Sequence, residues 1–199
     1  MNNDFASTAQ WCENIIIADA DHVDKVAFDL IVNFERMLMR RIPQADLARW
    51  IDCVALDGGV REGEESTLVV LIHDKAHDKM DNFMPSAYGT ELDGKAFKDN
   101  LGEFTISPLA VENMVSKEDF MCEVIAAACQ RNEVKRLMIV PDDGPMYDSV
   151  RHALRHVGDD KRVTVFAMQP MPGGNFRQEI LGYSLMSALG IRAEELKEG

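Results

Sequence analysis

The chain has 199 residues, 46% of them apolar, enough to bury one substantial core, and a single domain is the expectation at this length. Its 21 basic and 34 acidic residues give a formal charge of −13, which excludes a protein that grips nucleic acid on a broad basic surface. A nuclease with a confined acidic centre stays open, because a metal ion there supplies the positive charge at the scissile phosphate.

Residues 1–13 carry neither a basic n-region nor an apolar h-region, and no run reaches the ~18 to 20 apolar residues that span a bilayer. Cys12, Cys53, Cys122 and Cys129 show no CxxC spacing and read as buried, reduced thiols. The expectation is a cytoplasmic protein that keeps away from membranes, with homo-oligomerisation left open.

The first element carries the most information. Asn14 to Asp21 reads Asn-Ile-Ile-Ile-Ala-Asp-Ala-Asp, a β-branched run typical of a strand buried on both faces, ending in two carboxylates. Directly after it, Val23, Val26, Ala27, Leu30, Ile31, Phe34, Met37 and Leu38 recur at helical spacing, so the helix amides should face the same rim as Asp19 and Asp21. Pro43 at a first helical turn, followed by Leu47, Trp50, Ile51 and Val54, predicts a second helix that stops at Gly58-Gly59. Residues 67–72 form the next strand. The segment from His73 to Asp81 has a His-x-x-x-His spacing that reads either as a metal-binding cluster or, in preference, as a solvated loop.

Residues 83–115 read as an insertion holding a hairpin, with its turn at Asp93-Gly94, or an edge strand over 103–109 that carries Pro108. Ser116 with Asp119 three residues on opens a helix by a capping-box pattern. Arg136 to Asp143 then repeats the grammar of the first strand, an apolar run ending in Pro141-Asp-Asp. A helix follows from about Pro145, then a strand over 162–168, and Asn175 is expected to cap a closing helix that ends at Gly190. Strands alternating with amphipathic helices predict an α/β fold, a Rossmann-like three-layer sandwich with a mainly parallel central sheet.

If the two acidic strand ends are parallel neighbours, their carboxylates meet at one rim, and a divalent cation would hold them together. The order of strand and Asp19, then Lys117-Glu-Asp119 opening a helix, then Ile-Val-Pro-Asp-Asp-Gly-Pro-Met-Tyr-Asp148, resembles the NYN branch of the PIN-like nucleases. The resemblance implies a Rossmann-like sheet, a Mg2+ or Mn2+ cofactor and hydrolysis of RNA. Asp19 would be the first acid, Asp119 the second, Asp143 the third, and Asp142 or Asp148 a supporting one. It departs from that pattern at Asp21-His22, where an asparagine is common, and at Pro141 to Pro145, which replace a serine and paired aspartates.

On this reading Asp19, Asp142 and Asp143 carry catalysis, while Asp19, Asp21, Asp119, Asp143 and Asp148 ligate metal. Tyr147, Asn175 and Arg177 contact the substrate, either RNA or a phosphorylated small molecule. Asp19-Ala-Asp21 with Asp142-Asp143 is also similar to the acidic motifs of haloacid-dehalogenase phosphatases. The hydroxyl those enzymes place after a middle strand is missing at His73-Asp74, which puts that reading second. The third reading keeps the fold without turnover, as a nucleotide- or metal-binding or protein-interaction scaffold whose acids cap helices.

Overall fold

The computed structural model describes residues 3–63 and 65–197. Among these residues the strands are β1 (Asn14–Asp19), β2 (Ala45–Asp46), β3 (Ser66–Asp74), β4 (Phe83–Met84), β5 (Ala96–Asp99), β6 (Gly102–Val111), β7 (Arg136–Val140), β8 (Arg162–Ala167) and β9 (Arg177–Ile180). The α-helices are α1 (Asn3–Thr8), α2 (Ala20–Leu38), α3 (Leu47–Asp57), α4 (Lys117–Cys129), α5 (Pro145–Ala153) and α6 (Leu181–Ala188).

Seven strands form one sheet in the order β5-β6-β3-β1-β7-β8-β9, and every pair is parallel except the β5-β6 hairpin; β2 and β4 pair separately. Taken in chain order, the six parallel strands lie third, second, first, fourth, fifth, sixth across the sheet, the Rossmann arrangement. The chain reverses its direction of travel between β1 and β7. Ala18 pairs with Val140 there, so the two acidic strand ends are neighbours.

Strand periodicity divides the core. Ile16 and Ala18 of β1 face α2, α3 and α6 with Val23, Trp50, Ile51, Val54 and Leu185. Ile15 and Ile17 face α4 and α5 with Phe120, Val124, Ile125 and Val150. All three isoleucines are fully buried, each worth about 1.5–3 kcal/mol. This two-sided burial explains why β1 reads as a continuous apolar run instead of an alternating one. No helix among the described residues is long and apolar enough to cross a membrane.

Four local expectations need correction. Pro43 lies in the connection before α3, which starts at Leu47 with Asp46 as N-cap, its side chain accepting from Arg49 N–H. The 83–115 region is more than an insertion: β6 is the third parallel strand, paired with β3 over nine residues. Only β5 is an antiparallel edge, and its turn falls at Asn100-Leu101, while Asp93-Gly94 leads into β5. That turn needs Gly102, at φ 111°, where an added Cβ would lie 1.8 Å from the Glu65 carbonyl oxygen. Pro108 sits beyond the last residue that β5 pairs, where a missing N–H is tolerated. Asn175 caps no helix, because Arg177–Ile180 form the edge strand β9 and α6 starts at Leu181. The four cysteines are free thiols, as expected, but half-buried.

Asp52 of α3 faces Asp99 at the end of β5. Burial, then the hydrogen bond and charge of Asp99, push its pKa up to about 7. A carboxyl group whose folded pKa exceeds its unfolded one gives stability that is lost as pH rises between the two values, here from about 4 to about 7. Asp52→Asn should therefore raise Tm at pH 8 by a few degrees and leave it nearly unchanged at pH 4, a contrast that thermal melts at the two pH values will read.

Candidate functional site

Asp19 is the last residue of β1 and the N-cap of α2, where its Oδ1 accepts from the His22 backbone N–H at 3.1 Å. One carboxylate thus ends the strand and starts the helix, and the residue is fully buried. A buried charge of this kind needs a partner. Lys117, the first residue of α4, provides it, with Nζ 3.0 Å from Asp19 Oδ1 and 2.9 Å from Asp21 Oδ2.

Asp21 is held on every side. Besides Lys117, it accepts from the Asp74 backbone N–H at 2.8 Å and meets His77 Nδ1 at 2.7 Å. The two acids respond differently. Burial dominates at Asp19 and raises its pKa in spite of Lys117, whereas at Asp21 burial is outweighed by hydrogen bonds from His77, Lys117 and Asp74, and its pKa falls. His77 is raised by its hydrogen bond to Asp21 and by that group's charge. Lys117 also ends above its ordinary value, because the two aspartates outweigh its burial.

Of the segment expected as a loop, His73 and Asp74 are the last residues of β3, and the loop begins at Lys75 and is pinned at both ends. The His73 ring is buried and stacked on Tyr88 at a centroid separation of 3.7 Å, and His77 folds back onto the rim. Asp24 fastens the far end by accepting from the backbone N–H groups of Asp81 and Asn82.

Across the switch point, Asp143 Oδ2 accepts from Met168 N–H at 3.1 Å, and Asp142 Oδ1 accepts from Gly144 N–H at 2.8 Å. The His22 ring lies between them, Nδ1 3.8 Å from Asp142 and Nε2 3.8 Å from Asp143, too far for a direct hydrogen bond. Asp19 Oδ2, His22 Nε2 and Asp143 Oδ1 are buried without a hydrogen-bond partner among the described residues.

The structure therefore brings Asp19, Asp21, Asp142 and Asp143 to one rim and leaves the other expected residues elsewhere. Asp119 is exposed on α4, where its backbone N–H donates to Ser116 Oγ. Asp148 is exposed on α5 beside Cys122 and His152. Tyr147 is buried with its hydroxyl donating to the Pro172 carbonyl at 2.8 Å, which removes it as a substrate contact. Asn175 and Arg177 lie at the amino end of the sheet, opposite the rim, because β9 runs parallel to β8 and opens with Arg177.

A divalent cation fits this donor set poorly. The point between Asp19 and Asp21 that it would bridge is taken by the Lys117 ammonium, and among the described residues no group of three or more His, Cys, Asp and Glu side chains is arranged to hold a metal ion. Lys117, His22 and His77 are not among the site residues expected from sequence, yet all three meet the carboxylates of this rim.

Removing Lys117 leaves a fully buried carboxylate without its counter-ion. Lys117→Met should destabilise by about 3 kcal/mol at pH 7, the lower end for a broken buried pair because the lysine side chain keeps 29% exposure. Urea unfolding should show that loss shrinking as pH falls and Asp19 takes up a proton, and Asp19→Asn combined with Lys117→Met should recover most of it.

No curated protein and no solved structure matches the chain. One family model, described as a family of unknown function (DUF6621), matches residues 8–196. With nearly its whole length matched, the chain belongs to that family, DUF6621.

Proposed function

We propose that the protein is a binding module on a nuclease-like frame, in which Lys117 serves as an internal cation where a metal-dependent hydrolase would carry a metal ion. The observation that supports this reading is the ammonium lodged within 3.0 Å of both Asp19 and Asp21. A hydrolytic carboxylate has to reach a ligand or orient a nucleophile. Asp19 is fully buried, and Asp21 is committed to Lys117, His77 and the Asp74 amide. The rim then fastens the start of α2, the start of α4 and the loop after β3 to one another, and ligand recognition falls to other surfaces.

A second reading is metal-dependent phosphodiester hydrolysis of the PIN/NYN kind, with Mg2+ or Mn2+ as cofactor and RNA as substrate. It is favoured by the three unpartnered buried atoms on Asp19, His22 and Asp143, a pattern that calls for a missing polar partner.

Thermal unfolding with and without millimolar Mn2+ or Mg2+ separates the two. As a binding module, the wild type shows no metal-dependent change in Tm. A metal-dependent rise in the wild type that Asp19→Asn abolishes, together with metal-dependent cleavage of single-stranded RNA, would establish the second reading instead.

A further inference from the structure

The amino end of the sheet holds an open cleft of about 750 Å³, within the range of small-ligand sites. β7, β8 and β9 are adjacent, and each begins with an arginine that lines it: Arg136, Arg162 and Arg177. Arg61 closes one side, and Phe176 and Asn175 form part of the wall. Four guanidinium groups around one hollow are unexpected in a chain with a formal charge of −13.

Local structure accounts for only part of the cluster. Arg61 Nη1 donates to the Leu56 and Val60 carbonyls, and Arg136 Nη1 donates to the Gly58 carbonyl, so both cap the carboxyl end of α3. Arg177 meets Glu179 at 3.2 Å on the surface. Arg162 has no ion pair among the described residues, and Arg136 Nε is buried without an acceptor. The one described carboxylate in the wall, Glu65, accepts from Asn14 Nδ2.

Arg136 and Arg162 are also direct cross-strand partners in the sheet, and like charges in register destabilise a sheet unless an anion lies between them. Burial lowers the Arg136 pKa, and the charges of Arg162 and Arg61 lower it further, against the opposing charges of Glu65 and Glu13. Guanidinium forks match phosphate oxygens in geometry, and an aromatic ring beside them offers a face for a planar group.

We infer that this cleft binds a phosphate ester carrying an aromatic base, a mononucleotide in chemical class, with its phosphate on Arg136 and Arg162, Arg177 at the rim of the cleft and its base against Phe176. The site does not depend on the reading of the acidic rim, which lies at the other end of the strands.

The test is calorimetric titration of the full chain with AMP, inorganic phosphate and a short single-stranded oligonucleotide, at low and high salt. AMP is expected to bind at one saturable site, weakening with salt, and Arg162→Glu and Arg177→Glu should each weaken it about tenfold or more without lowering Tm, since both side chains are exposed. Phe176→Ala should weaken AMP several-fold and leave inorganic phosphate unchanged. The inference is overturned if AMP gives no saturable binding at millimolar concentration, if Arg162→Glu binds it as well as wild type, or if only the oligonucleotide binds. Equal affinity for inorganic phosphate and AMP, with Phe176→Ala silent, would overturn the nucleotide assignment.

Discussion

Taking the Asp19 carboxylate out of water carries a penalty of several kcal/mol, and the fold meets it with one ammonium group. Lys117 reaches Asp19 from the first position of α4, and by reaching Asp21 at the same time it joins three segments far apart in sequence. Asp19 fixes where β1 ends and α2 begins. Asp21 fixes the end of β3 through the Asp74 amide and the following loop through His77. The carboxyl ends of β1 and β3 and the amino ends of α2 and α4 are thereby set by a single charge cluster.

The topology explains why the cluster lies here. A doubly wound sheet opens a crevice where strand order reverses, and side chains at that crevice are shielded by two helix layers while still aligned with helix amino termini. A carboxylate in that position is drawn to the helix amides and driven up in pKa by burial, opposing effects that a nearby cation resolves. A metal ion and a lysine both provide that charge, but differently. A divalent ion needs several oxygen donors at one point, whereas an ammonium is satisfied by three acceptors in a loose arrangement. Asp19 and Asp21 meet the second requirement.

Much of this architecture is legible in the sequence where burial is two-sided and continuous. Ile15 to Ile17 and Leu137 to Val140 read as central strands because both faces are packed, and their acids mark the switch point. Elements at the periphery are hidden for the opposite reason. β9 reads Arg-Gln-Glu-Ile, a charged edge strand with little apolar content, and its closeness to α6 makes the stretch look like one helix. β6 carries exposed and half-buried residues together with Pro108, so a core strand resembles an edge. The site is legible at Asp19 and Asp143, because each stands at the end of a buried apolar run, but the pairing with Lys117 is not, because a lysine at the start of a helix has no such run to place it.

The two ends of the sheet carry opposite charge, and the distance between them constrains any mechanism. Arg136 opens β7, the neighbour of the strand that ends in Asp19, and Arg162 opens β8, one strand further on. A strand of five or six residues spans roughly 17–20 Å. A phosphate held by the arginines therefore lies too far from Asp19 and Asp143 for those acids to act on it, since a general base has to come within about 3 Å of the proton it removes. A hydrolase acting on a phosphodiester would keep its cationic grip beside its acids. Here the arginine cluster and the acids are separated by the length of the core, so the cleft at one end and the lysine-neutralised rim at the other are independent features of the same sheet.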